Sequence, residues 1–115
     1  MRNKSITSPQ REVAMIAVRK TGAGTPVLSG LNASSCSVVD NGVGDFTIVV
    51  NTKRPFGVGV IATATAHSSG IVRLEVASTT KLQVRVRCFA VDGITAAELD
   101  FDLIALGTYA SDLQG

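Results

Sequence analysis

The sequence predicts an all-β protein, an antiparallel β-sandwich of jelly-roll-like type with about eight short strands. Three observations carry that prediction. Two runs alternate strictly: Leu82, Val84, Val86 and Cys88 with Gln83, Arg85 and Arg87, and Leu99, Phe101 and Leu103 with Glu98, Asp100 and Asp102. Successive side chains of a strand point to opposite faces, so each run has one apolar and one charged face. The composition is 45% hydrophobic but only 4% aromatic, with no Trp, so Val, Ile, Leu and Ala must build the core. Finally, Gly, Ser, Asn and Thr turns punctuate the chain at short intervals from Thr21 onward.

In chain order, residues 1–11 (MRNKSITSPQR) are polar, cationic and interrupted by Pro9, and are expected to form a free, flexible arm. Residues 12–108 form the sandwich domain and 109–115 a short tail. The run from Glu12 to Lys20 is moderately apolar and closes at Thr21-Gly22-Ala23-Gly24. Val13, Ile16 and Ala17 would also share one face of a short helix, but the β-branched residues favour a strand. Pro26 to Ser29 and Cys36 to Asp40 are short strands on either side of the loop at residues 30–35. Asn41-Gly42 is a strong tight-turn signal, because both residues tolerate positive φ.

Asp45 to Asn51 places Phe46, Ile48 and Val50 on one face, until Lys53-Arg54-Pro55 breaks the pattern. Gly57 to His67 is the longest apolar stretch. Val58, Val60, Ala62, Ala64 and Ala66 share a face opposite Ile61, Thr63 and Thr65, which predicts a central strand. After Ser68-Ser69-Gly70, Ile71 to Ala77 alternates Val72, Leu74 and Val76 with Arg73 and Glu75. The two charged runs follow, and the polar loop Asp92–Ala97 predicts that they fold back on each other as a hairpin. Arg87 would then face Asp100 and Arg85 would face Asp102, with Glu75 beside Arg85. These five residues are expected to form a structural charge ladder that fixes register.

At 115 residues the chain is one domain, able to bury roughly two thirds of its unfolded surface. A mean hydropathy of +0.31 is high for so small a domain and implies that some apolar residues face a partner. The net charge of +2 is too small to imply nucleic acid, and the basic arm lacks the interleaved aromatics of a stacking platform. Charge is unevenly spread. Arg2, Lys4, Arg11, Arg19 and Lys20 crowd the start, while Asp92, Glu98, Asp100, Asp102 and Asp112 crowd the end. Start and end meet either within one fold or between subunits placed head to tail.

No catalytic motif is present, and the chain is expected not to be an enzyme. His67 precedes Ser68 and Ser69, but adjacent strand residues point to opposite faces and no nucleophile-elbow pattern surrounds them. One His and two distant Cys make no closed metal site, so no metal or cofactor is expected. Gly22, Gly24 and the Gly57-Val58-Gly59 step do not form a phosphate loop. Of the aromatics suited to sugar binding only Phe56, Phe89 and Tyr109 are candidates. Cys88 continues an apolar face, so a buried free thiol is expected, in keeping with a reducing cytoplasm. Residues 1–10 lack the apolar core of a signal peptide, and no apolar run approaches the roughly 18 residues of a membrane span.

Three segments bear a family resemblance. Asp45–Val50, then Arg54-Pro55-Phe56 leading into Val58–Ala64, and the ending Asp100–Gly107 together resemble a module of small tailed-bacteriophage structural proteins, over residues 44–107. The resemblance implies a virion component on the capsid exterior, made in the host bacterial cytoplasm. It implies a capsid decoration (cement) protein that bridges subunits as a homodimer or homotrimer bound to the major capsid protein. Direct contact with nucleic acid or membrane is not implied. Arg2, Lys4 and Arg11 would then order against the shell. A tail-fibre-associated or glycan-binding receptor module is the alternative.

Overall fold

The computed structural model describes residues 13–22, 24–51, 60–78 and 82–108. The expected arm and tail, with Arg2, Lys4, Arg11, Phe56 and Tyr109, lie outside them. Among the described residues there are eight strands, β1 (Val13–Thr21), β2 (Val27–Leu31), β3 (Cys36–Gly42), β4 (Asp45–Val50), β5 (Ile61–Ala66), β6 (Ile71–Ser78), β7 (Leu82–Phe89) and β8 (Phe101–Thr108). One 3₁₀ turn, Ala33–Ser35, carries the chain from β2 to β3. The strands form two four-stranded sheets, ordered β2-β1-β8-β5 (sheet A) and β3-β4-β7-β6 (sheet B), and every pairing is antiparallel. The protein is an all-β sandwich. Three of the pairings join strands adjacent in the chain, and these orders do not establish a jelly-roll winding.

The core lies between the sheets and comes mainly from their central strands. Sheet A contributes Ile16 and Val18 from β1 and Phe101, Leu103 and Ala105 from β8. Sheet B contributes Phe46, Ile48 and Val50 from β4 and the apolar face of β7. Each fully buried Val, Ile, Leu or Phe stabilises the fold by about 1.5–3 kcal/mol relative to leaving it exposed. Phe46 and Phe101 meet across the sandwich with ring centroids 6.1 Å apart. Cys36 and Cys88 are free thiols, and burial pushes both above the ordinary thiol range.

The predicted hairpin between the two charged runs does not form. β7 pairs with β4 and β6 in sheet B, whereas β8 pairs with β1 and β5 in sheet A. The segment from Ala90 to Asp100 crosses from one sheet to the other, so the two apolar faces meet through the core instead of lying side by side. Alternation states which face is buried and is equally satisfied by either arrangement. β5 is likewise an edge strand of sheet A and not a central one. Ala62, Ala64 and Ala66 are only half-buried, and Ile61, Thr63 and Thr65 point outward to solvent.

The Asn-Gly turn also sits slightly differently. β3 runs through Asn41-Gly42, its register with β4 shifts between Asp40 and Gly42, and Val43-Gly44 forms the loop. Gly44 is required there. Its φ is 63°, and an added Cβ would fall 2.6 Å from the Ala97 carbonyl oxygen and 2.7 Å from that of Cys88. The hairpin tip is thereby locked to the crossover. The Cys88 amide donates to the Gly44 carbonyl at 2.7 Å, and the Gly44 amide donates to Glu98 Oε1 at 2.9 Å.

Candidate functional site

The outer face of sheet A combines an apolar area with a charged row. Registers across β2, β1, β8 and β5 arrange its outward side chains into rows. One row is Met15, Leu106 and Ile61. The next is Leu31, Ala17, Ile104 and Thr63, and the third is Ser29, Arg19, Asp102 and Thr65. The first two rows form one apolar patch in which Leu31, Ile61, Ile104 and Leu106 are between 38% and 68% exposed. Where Ala17 and Ser29 keep the surface low between Arg19 and Ile104, a shallow groove of about 370 Å³ opens.

The third row holds an ion network. Arg19 Nε donates to Asp102 Oδ1 at 2.8 Å and Arg19 Nη2 to Asp102 Oδ2 at 3.2 Å. His67 Nε2 lies 2.8 Å from the same Oδ1, while the His67 amide donates to the Asp100 carbonyl at 3.0 Å. The Arg19 guanidinium, with a smaller contribution from His67, holds the Asp102 carboxyl down at about 2. A His–Asp pair is the orienting half of a nucleophilic triad. Among the described residues no hydroxyl or thiol is hydrogen-bonded to the His67 ring, and Asp102 is shared with Arg19. The arrangement is a neutralised surface network. Among the described residues no group of three His, Cys, Asp or Glu is placed to hold a metal.

Behind this row lies a residue that the sequence pattern marks only as one of the basic residues crowding the start of the chain. Lys20 is fully buried. Its Nζ donates to the Leu99 carbonyl at 2.9 Å, lies 3.6 Å from Asp100 Oδ1, and sits 3.9 Å from the centroid of the Phe46 ring. Those contacts give a buried ammonium a carbonyl acceptor, a counter-ion and an aromatic face. The period-two signal was available, because Ile16, Val18 and Lys20 share one side of β1.

The expected charge ladder divides between the two sheets. Glu75 does stand opposite Arg85 in the β6–β7 register, but its ion pair is with Arg87. Arg85 binds Asp45 of β4 through two hydrogen bonds, of 3.0 and 2.6 Å, and chiefly this guanidinium lowers the Asp45 carboxyl. Asp100 and Asp102 meet Lys20 and Arg19 instead. At these residues the basic start and acidic end of the chain meet within one molecule. Arg73 stacks on Phe89 at 4.9 Å. In the crossover, the Thr95 hydroxyl and the Ile94 and Thr95 amides donate to Asp92 and hold its carboxyl at about 2.

No family model, curated protein or solved structure matches the chain.

Proposed function

We propose that this chain is a non-enzymatic structural protein that decorates and stabilises a bacteriophage capsid. In this role it is a symmetric oligomer that docks through the outer face of sheet A and bridges subunits of the major capsid protein. The observation that supports the role most is the apolar patch of Met15, Ala17, Leu31, Ile61, Ile104 and Leu106. Contiguous apolar surface of this kind on a small domain, rimmed by polar residues, marks a binding face. The Arg19–Asp102 row forms its rim and is already neutralised, so it meets a protein surface with little unpaired charge to desolvate. The phage assignment itself comes from the sequence resemblance over residues 44–107.

The mechanism is additive binding without chemistry. Each copy contributes a modest contact, and an oligomer that spans a subunit joint multiplies those contacts through effective concentration. Arg2, Lys4 and Arg11, in the arm expected from the sequence, would add polar contacts to the shell. The protein would be made in the bacterial cytoplasm and reside on the particle exterior.

Copy number tests the role. Quantitative mass spectrometry of purified particles should find this chain at a ratio near one to the major capsid protein, or at a simple fraction of it. A handful of copies would favour the tail-associated or glycan-binding alternative, which would use the groove beside Arg19, Ser29 and Asp102. Absence from the particle would remove the virion role.

A further inference from the structure

A sandwich has four edge strands, each presenting backbone donors and acceptors to any chain able to pair with them. Three edges here carry features that discourage pairing. β2 is only five residues long and contains Gly30 at φ 114°. β3 has a register shift between Asp40 and Gly42. β6 carries the charges of Arg73 and Glu75. The β5 edge differs. Ile61-Ala62-Thr63-Ala64-Thr65-Ala66 holds no charge, proline or glycine, and its register with β8 is regular from end to end.

We propose that the edge of β5, which has no second partner strand among the described residues, pairs antiparallel with β5 of a second copy, about a two-fold axis beside Thr63. The pairing joins the two A sheets into one continuous eight-stranded sheet. Residues directly opposite in an antiparallel pair share a face, so this axis keeps every side chain on its own side. Thr63 meets Thr63 of the partner subunit, Ile61 meets Thr65 of the partner subunit, and Ala62 meets Ala64 of the partner subunit. Shifting the axis to Ala64 would bring Ile61 against the partner's His67, which Asp102 already holds. The small, uncharged strand matches itself and offers nothing to attract a charged peptide. An isologous contact also closes on itself, so the edge is consumed without growth into fibres.

The seam has a consequence for the outer face. Ile61, 68% exposed in one copy, is partly covered, and the rows Met15–Leu106–Ile61 of both copies run into each other. Two apolar patches become one broad surface. This deepens the docking role by giving the oligomer its contact, yet the pairing itself depends only on the edge of β5.

Sedimentation velocity of the full chain over a range of concentrations tests it. The wild type should be a dimer. Thr63→Lys and Thr63→Glu should each weaken the dimer by about tenfold or more, because like charges then face each other across the axis. An equimolar mixture of the two variants should restore the dimer, and unchanged circular dichroism should show that each variant remains folded. Leu31→Lys, on the far edge of the same face, should leave the dimer intact. A wild type that stays monomeric throughout would overturn the proposal. So would a dimer indifferent to both Thr63 variants and broken by Leu31→Lys. A β5 dimer with no affinity for capsids would remove the docking role and keep the pairing, whereas a capsid-binding monomer would do the reverse.

Discussion

The outer faces of the two sheets differ although their inner faces do the same work. Both sheets bury an alternating apolar face, and both expose the residues in between. On sheet B most of those positions are polar or charged, Asp45, Thr47, Gln83, Arg85, Arg87, Arg73 and Glu75, with Val39, Val49, Ile71 and Phe89 spread among them, and the charges reach diagonally to partners on neighbouring strands. On sheet A the corresponding positions hold Met15, Ala17, Leu31, Ile61, Ile104 and Leu106 across much of the face, with charge confined to the Arg19–Asp102 row. Core burial constrains every second residue and leaves the others free. What those free positions contain separates a solvated wall from a surface suited to a partner.

The largest stability effect should come from the charge buried behind the polar end of sheet A. Lys20→Met should destabilise the fold by about 1–3 kcal/mol, because the Leu99 carbonyl loses its buried donor. Thermal unfolding should show the loss, and an unchanged midpoint would mean that water or the backbone satisfies that carbonyl. On sheet B, Asp45→Ala removes one partner of a solvent-screened ion pair. It should cost less, roughly 0.2–1 kcal/mol, and the cost should shrink in high salt.

The Arg19–Asp102–His67 row should appear in the acid limb of stability. Asp102 is depressed to about 2 in the folded protein, so its contribution is complete above the ordinary carboxylate value of about 3.9. It is lost as pH falls through that window toward 2. Wild type should therefore lose more stability than Asp102→Asn between about pH 4 and 2. Parallel curves would mean that the network does not favour the ionised carboxylate.

How far the sequence foretold this molecule depends on what period-two patterning encodes. It specified the strands well, since β7 and β8 alternate without a break and β4 repeats Phe46, Ile48 and Val50 inward. It specified partners poorly, because a residue's face does not reveal its neighbour strand. Arg85 thus finds Asp45 and not Asp102, and β5 lies at an edge despite its apolar length. The pairing of His67 with Asp102 joins residues brought together only by sheet topology. Lys20 was the one readable omission. Its place after Ile16 and Val18 points inward, but a lysine beside an arginine near a turn resembles two solvated charges.

The sharpest comparison uses one exposed aliphatic residue from each face. Ile104 on sheet A is 40% exposed and Val39 on sheet B is 47% exposed. Changing either to Lys should shift stability by no more than about 0.5 kcal/mol, since neither is in the core. Co-sedimentation of the purified variants with capsid particles then isolates the face. Ile104→Lys should lose particle binding, while Val39→Lys should bind like the wild type. Equal binding by both variants, loss only with Val39→Lys, or no binding by the wild type would contradict docking through sheet A.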